Sequence, residues 1–273
     1  MSPPLVWLVW AALGVVVGGY GTLIGAGGGF ILVPILLIVY PHQSPAQLTA
    51  VSLAVVLANA TSGSVGYYRL RRVDYRSGVV LALATLPGAV LGALVVGGIP
   101  RAAFNVVMGL ALILVAAFLF LRPSGNLALL TDRWLTVTRE LVDSDGKHYR
   151  YRFNLALAAA LSVFVGFLSS LLGIGGGIIH VPMLSTFFSL PPHIATATSH
   201  FVLMVMAAGA TVTHVLHRDF GGFVPITIAL AIGVILGAQI GARVSSRVGG
   251  GMIIRLLALA LGIVGIRLLL IHS

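Results

Sequence analysis

The chain has 273 residues, of which 59% are hydrophobic and 8% charged, and its mean hydropathy is +1.09. A soluble domain of this length cannot hide that much apolar surface, and apolar runs of about 20 residues, each able to cross a bilayer core, recur along it. The net charge of +10 does not point to nucleic acid, because the arginines lie in short loops between apolar runs, the usual place of topology signals; the absence of cysteine excludes disulfides, thiolate metal sites and cysteine nucleophiles.

Met1-Ser2-Pro3-Pro4-Leu5 holds no basic residue, so a cleaved signal peptide is not expected. The first apolar run extends from Leu5 to Ile24 and carries Gly14, Gly18 and Gly21, with Gly25 just after it, small residues at three- and four-residue spacing that let helices approach closely. Gly25-Ala26-Gly27-Gly28-Gly29-Phe30-Ile31-Leu32-Val33-Pro34 follows. Gly costs a helix about 1 kcal/mol and Pro about 3 relative to Ala, so this stretch predicts a break. The run from Phe30 to Tyr40 is too short for an ordinary span. A third run, Ala46 to Tyr68, bears Thr49, Ser52, Asn59, Thr61 and Ser62 and is closed by Arg69, Arg71, Arg72 and Arg76. Runs from Ser77 to Gly98 and from Ala102 to Leu121 complete the first half.

Residues 122–153 differ in kind. Strand-forming Thr, Val and Tyr flank Asp143-Ser144-Asp145-Gly146, which predicts a β-hairpin. An isolated hairpin is marginal in water, so it is expected to pack on the membrane part or on a partner.

Apolar runs then return at Asn154–Leu172, Ile178–Leu190, His193–Val215, Phe220–Val244 and Met252–Ile271. The glycine sentence returns with them, as Gly173-Ile174-Gly175-Gly176-Gly177-Ile178-Ile179-His180-Val181-Pro182. Ala50-Val51-Ser52 matches Ala197-Thr198-Ser199, Asp74-Tyr75 matches Asp219-Phe220, and Gly88–Ala93 matches Gly233–Ala238. Matched blocks in one order mark a duplication. The expected fold is all-α: a polytopic membrane protein with an inverted five-plus-five helix repeat and broken or short helices at the two glycine motifs. The expected divisions are repeat 1 over 1–121, a loop with its hairpin over 122–153, and an inverted repeat 2 over 154–273. An odd number of segments per half inverts the second half. With the central loop in the cytoplasm, thirteen of the sixteen Lys and Arg fall inside and three (Arg101, Arg218, Arg267) outside, with both termini outside. Inverted repeats with discontinuous helices and a midplane site are a transporter plan.

All six carboxylates (Asp74, Asp132, Glu140, Asp143, Asp145, Asp219) lie outside the spans, which argues against a carboxylate proton relay or cation site. What remains suits a small anion. Helix starts near Gly27 and Gly175 would offer free N–H groups and a positive dipole end, and glycine lets an anion come close. The candidate substrate contacts are Gly27, Gly28, Gly29, Thr49, Ser52, Asn59, Gly175, Gly176, Gly177, Thr196, Ser199 and His200. Each also has a packing reading: the Ser and Thr hydroxyls can bond their own backbone, and Asn59 can join helices. His180 and His200 stand where the first repeat has Leu32 and Leu53, and histidine is the side chain most easily switched near neutral pH; His200 is the stronger candidate. His214 and His217 are placed near the outer surface, with no carboxylate or cysteine support for a metal. Neither metal nor cofactor is expected, and the glycine run lacks the strand and acidic partner of a dinucleotide fingerprint.

These paired motifs, each followed by a Ser/Thr-bearing helix, resemble the TauE/SafE family of sulfite and sulfonate exporters over both membrane halves. The resemblance implies secondary transport in a bacterial-type inner membrane, with substrates such as sulfite, sulfoacetate or similar small organosulfur anions. It carries no catalytic residue, so an enzyme is not expected. The expected partners are that anion and membrane lipid, with a homodimer permitted by the glycine stripes. Rival functions are a membrane scaffold or assembly factor docking a partner through the hairpin, and an anion channel.

Overall fold

The computed structural model describes residues 3–121, 136–245 and 250–270. The first half forms α1 (Pro3–Leu23), α2 (Gly29–Val39), α3 (Pro45–Arg69), α4 (Tyr75–Val95) and α5 (Arg101–Leu121). The hairpin strands β1 (Thr136–Val142) and β2 (His148–Asn154) come next. The second half forms α6 (Leu155–Leu172), α7 (Gly177–Pro182), α8 (Pro192–Leu216), α9 (Val224–Val244) and α10 (Gly250–Leu270). Among the described residues, seven helices are long and apolar enough to cross a membrane. The chain is an all-α polytopic membrane protein, with one two-stranded ribbon among the described residues.

Local chemistry sets the helix ends. Ser44 and Gln47 form a reciprocal capping box before α3, with Pro45 at its first turn, where a missing N–H costs nothing. Asp74 caps α4 by accepting from the Ser77 amide at 3.1 Å. Asn154 closes the hairpin and caps α6 by accepting from the Leu157 amide at 3.0 Å. The expected short run Ile178–Leu190 is subdivided: α7 ends at Pro182 and continues as a π turn over Met183–Phe187. Pro182 has no N–H for the carbonyl one turn back, and a wider turn accommodates its ring.

The main contacts of each helix recur for its counterpart in the other half. Helix α1 lies along α9, and α6 along α4; α3 touches α9, and α8 touches α4; α3 meets α8, and α5 meets α10. Directions can be read from close approaches. Gly14 of α1 faces Leu230 and Gly233, and Gly18 faces Val234, so α1 and α9 run parallel. Gly88 faces Val163 and Phe167, and Gly92 faces Phe167 and Leu171, so α4 and α6 run parallel too. Corresponding helices are antiparallel: Gly109 of α5 faces Gly265 of α10 while Gly262 faces Ala116. In the same way Gly63 of α3 faces His200 of α8, while Val56 packs in one cluster with Met206 and Ala207. A two-fold axis that turns a helix antiparallel to its own counterpart lies across the helices, in the membrane plane. That is an inverted repeat.

The hairpin folds back on the membrane part. Tyr149, Tyr151 and Phe153 turn one face into a cluster with Leu81, Met183, Phe188 and Ile194. Ser144 N donates to Leu70 O at 3.1 Å, tying the turn to the loop between α3 and α4. Buried Arg72 in that loop reaches Asp143 at 3.3 Å and Asp145 at 3.0 Å. Arg139 of β1 donates to Ser77 Oγ at 3.0 Å, and Tyr151 donates to Asp74 Oδ2 at 2.9 Å. The hairpin therefore uses its apolar face and its acidic turn within its own chain.

Candidate functional site at the meeting of the glycine breaks

The two glycine motifs meet. In the first, Gly25, Gly27 and Gly28 have φ of 76°, 78° and 83°, and in the second Gly173 and Gly175 have φ of 66° and 72°. L-residues with a side chain avoid that region, so these positions favour glycine for conformation alone. Gly29 and Gly177 are needed for another reason. A Cβ on Gly29 would sit 2.6 Å from Gly173 O and 2.8 Å from Ile174. A Cβ on Gly177 would strike Gly25 O and stand 2.6 Å from Ala26 Cα. Each motif thus presses the start of its short helix against the backbone of the other. Helix α2 begins at Gly29 and α7 at Gly177, two residues later than the starts expected near Gly27 and Gly175. The Ile31 and Leu32 amides return to Gly28 O, and those of Ile179 and His180 to Gly176 O. The N–H groups that the two starts do not use are those of Gly28, Gly29 and Phe30, and of Gly175, Gly176, Gly177 and Ile178.

The two long antiparallel helices flank this crossing, and the pseudo-symmetry is visible in their side chains. Thr49 packs its methyl at 2.9 Å from where a Cβ on Gly173 would lie, and Thr196 at 2.7 Å from the equivalent point on Gly25. The Thr49 hydroxyl donates to Pro45 O and Ala46 O of its own helix, both at 3.0 Å. Ser52 donates to Gly173 O at 2.7 Å. Ser199, its counterpart, is fully buried with an unpartnered hydroxyl. Asn59 accepts from Thr22 Oγ1 at 3.1 Å through Oδ1, while its Nδ2 has no partner. His200 Nε2 lies 3.4 Å from the same Thr22 oxygen, and His200 Nδ1 has no partner. Ser199, His200 and Asn59 are all 0% exposed, and buried polar atoms left open are rare enough to need a reason.

Several of these groups gave no signal in the sequence. Thr22 sits in the last turn of α1, three residues before the break, and joins Asn59 to His200. Tyr67 donates to Thr22 O at 2.6 Å and sets its ring edge-on to His200 at 5.6 Å. A polar residue in the turn before a helix break was the available clue to Thr22; Tyr67 read only as the end of a span. His180 is elsewhere: its Nε2 lies 2.9 Å from Ser162 Oγ, whose hydroxyl donates to Ala158 O at 2.7 Å. His214, placed near the outer surface with no acidic support, is buried, and its Nδ1 pairs with Asp219 Oδ2 at 2.7 Å. The turn after α8 brings that carboxylate back onto its own helix. Among the described residues no three His, Asp or Glu side chains gather as a metal site. A separate apolar cavity of about 590 Å³ lies between α5, α6 and α7, lined by Leu114, Phe118, Leu161, Phe164 and Phe187 among others. None of the twelve predicted site residues lines it.

Where the hairpin meets the loop between α3 and α4 the charges behave differently. Burial pushes the Asp143 carboxyl up, but the Lys147 and Asp145 amides, the Tyr149 hydroxyl and the Arg72 guanidinium outweigh it and hold it below the usual carboxylate range. Burial, with Asp74 beside it, pushes the Tyr151 phenol up.

The profile of the family described as Sulfite exporter TauE/SafE matches residues 10–268. The chain belongs to the TauE/SafE family. It is 30% identical over 216 residues to the "Probable membrane transporter protein YunE" of Bacillus subtilis, covering 77% of this chain and 78% of that protein. It is 26% identical over 232 residues to the "Probable membrane transporter protein MJ0441" of Methanocaldococcus jannaschii, covering 81% of this chain and 79% of that one. No solved structure matches it. The TauE/SafE match takes in both glycine motifs and both helices that carry the open polar atoms, and these names describe transporters rather than enzymes.

Proposed function

We propose that this TauE/SafE protein is a secondary transporter, working as an exporter, that moves a small organosulfur or sulfite-like anion across the inner membrane by alternating access. One observation carries the reading. The two glycine breaks press together where α3 and α8 cross, and the open polar atoms Asn59 Nδ2, Ser199 Oγ and His200 Nδ1 sit on those two helices. Unused N–H groups at two helix starts supply positive potential, and hydroxyl and amide donors bind an anion without a fixed charge that would hold it permanently. Gly27, Gly28, Gly29, Gly175, Gly176 and Gly177 provide the backbone approach. Ser52, Thr49 and Thr196 hold the two breaks in shape, and Asn59, Ser199 and His200 face the anion. In this reading the membrane repeats are 1–121 and 154–273, residues 122–153 lie in the cytoplasm, and both ends of the chain lie outside.

The inverted duplication supports alternating access over a channel, since two halves related by an in-plane axis can exchange shapes. The hairpin's commitment of Tyr149, Tyr151, Phe153 and Asp143 to its own chain weighs against a scaffold that docks a partner through that face. Reconstitution into proteoliposomes with radiolabelled sulfite, sulfoacetate and taurine tests the reading. We expect saturable flux of at least one of them, driven uphill by a second gradient. Flux of none would overturn transport of this anion class, and flux that only follows its own gradient would make the protein a channel.

A further inference from the structure

Thr22, Asn59 and His200 form one hydrogen-bonded row. The Thr22 hydroxyl has a single hydrogen, which it donates to Asn59 Oδ1. With that hydrogen on Asn59, the same oxygen accepts from His200 Nε2; in this tautomer Nε2 carries the ring hydrogen and Nδ1 of the neutral ring is a bare acceptor. Beside the site two N–H groups of Asn59 therefore point out unpaired, while His200 offers a lone pair. An anion is attracted by the first and repelled by the second.

A proton on Nδ1 removes the conflict, because it turns the ring into a second donor and brings a positive charge. That charge is costly by itself in a buried setting without a counter-ion. The groups facing the ring supply none: the backbone of Gly25 and Asn59, which lies against it, is neutral. Helix α3 presents Tyr67, a phenol already donating to Thr22 O, with Asn59 and Gly63; α1 presents Thr22; α9, the neighbour of both α1 and α3, offers the neutral Gln239, which donates to Ser62 O at 2.6 Å. Two ionic groups in the loop after α3 are occupied: Arg72 with Asp143 and Asp145, and Asp74 with Tyr151 and Arg139. The bound anion is then the counter-ion that the protonated ring lacks, and the proton is the donor that the anion lacks.

We propose that His200 takes up a proton on Nδ1 together with the anion, so that the protein is a proton–anion cotransporter in which neither ion crosses without the other and the outward gradient of the anion drives export of both. This rests on the anion site described above. The proton enters from the side where the anion binds and leaves to water on the other side with it, returning the ring to its Nε2–H form.

The test counts protons. Purified protein in detergent is titrated with sulfoacetate, which stays ionised at neutral pH, in two buffers of different ionisation enthalpy. Flux into proteoliposomes is then measured with and without a pH gradient. The wild type should take up a proton for each sulfoacetate bound and accumulate it against its gradient when the pH gradient drives it. His200→Gln keeps a hydrogen bond to Thr22 but cannot be charged. It should elute as the wild type does on size exclusion, bind about ten- to a hundred-fold more weakly, and take up no proton. Binding by the wild type without proton uptake, or proton-driven accumulation by His200→Gln, would overturn the coupling and leave the anion site standing. Absence of any binding or flux of sulfoacetate and sulfite would overturn the anion site and the coupling with it.

Discussion

Ser52 donates to the carbonyl of Gly173 at 2.7 Å, tying the middle of one repeat to the helix break of the other. Its counterpart Ser199 makes no such bond. The two halves are alike in sequence and unlike in state: one clasp is fastened and the other is open. Ser52→Ala should lower stability by about 1–3 kcal/mol, because it leaves the buried Gly173 carbonyl without that donor. Ser199→Ala should not lower stability, since it removes a buried hydroxyl that has no partner, and should weaken anion binding. Thermal unfolding in detergent together with sulfoacetate titration separates the two; equal destabilisation by both variants would show that the asymmetry has no energetic content.

The contact between the breaks gives a steric prediction. Gly177→Ala puts a methyl into Gly25 O, while Gly97→Ala meets nothing within 4 Å. Gly177 has no positive φ, so its substitution tests the contact alone. Transport should be abolished by Gly177→Ala and Gly29→Ala and unchanged by Gly97→Ala. Wild-type flux in both of the first two would mean that the breaks separate during function.

The hairpin latch is testable by proteolysis. Removing one member of a buried ion pair commonly costs about 3–5 kcal/mol; Asp145 still pairs with Arg72 after Asp143→Ala but is 67% exposed, so the lower end is expected. Trypsin should cut at Lys147 faster in Asp143→Ala than in the wild type. Acid should act in the same way. The Asp143 carboxyl is held low in the folded state, so its contribution is complete above the ordinary carboxylate value and is lost as pH falls through the lowered one. Cleavage by an acid-stable protease should be unchanged from neutral pH to about pH 4.5 and rise below that. Release at pH 6 would assign the latch to another group.

Orientation can be measured directly, because the chain has no cysteine. With the hairpin in the cytoplasm, Ser144→Cys should react with an impermeant maleimide only after the membrane is opened. Gly97→Cys, on the opposite side, should react in intact cells. The reverse pattern would invert the assignment.

Much of the architecture was legible because it is written twice. The duplicated blocks and an odd count of segments are one-dimensional facts, and they suffice for an inverted repeat. The meeting of the two glycine motifs fits the same logic, since backbone broken in hydrocarbon must be covered by protein. Illegible was the identity of hydroxyl partners. Thr49 and Ser52 share a helical face, yet one bonds its own helix and the other the opposite repeat, a choice made by how close Gly173 comes. Thr22 and Tyr67 escaped for the same reason: their role depends on α1 and α8 meeting across 178 residues. The His214–Asp219 pair was hidden by a tight turn with Arg218 at φ 59°, which no periodicity announces.

Helices α1 and α6 do not lie along helices of their own half. Helix α1 lies on α9 and α6 on α4, so each half lends its first helix to the other. During synthesis the glycine face of α1 must wait, exposed to lipid, until more than two hundred residues later α9 emerges to cover it. Neither half is a unit that matures alone, and a chain cut in the 122–135 connection should regain its structure only when both pieces are made in the same membrane.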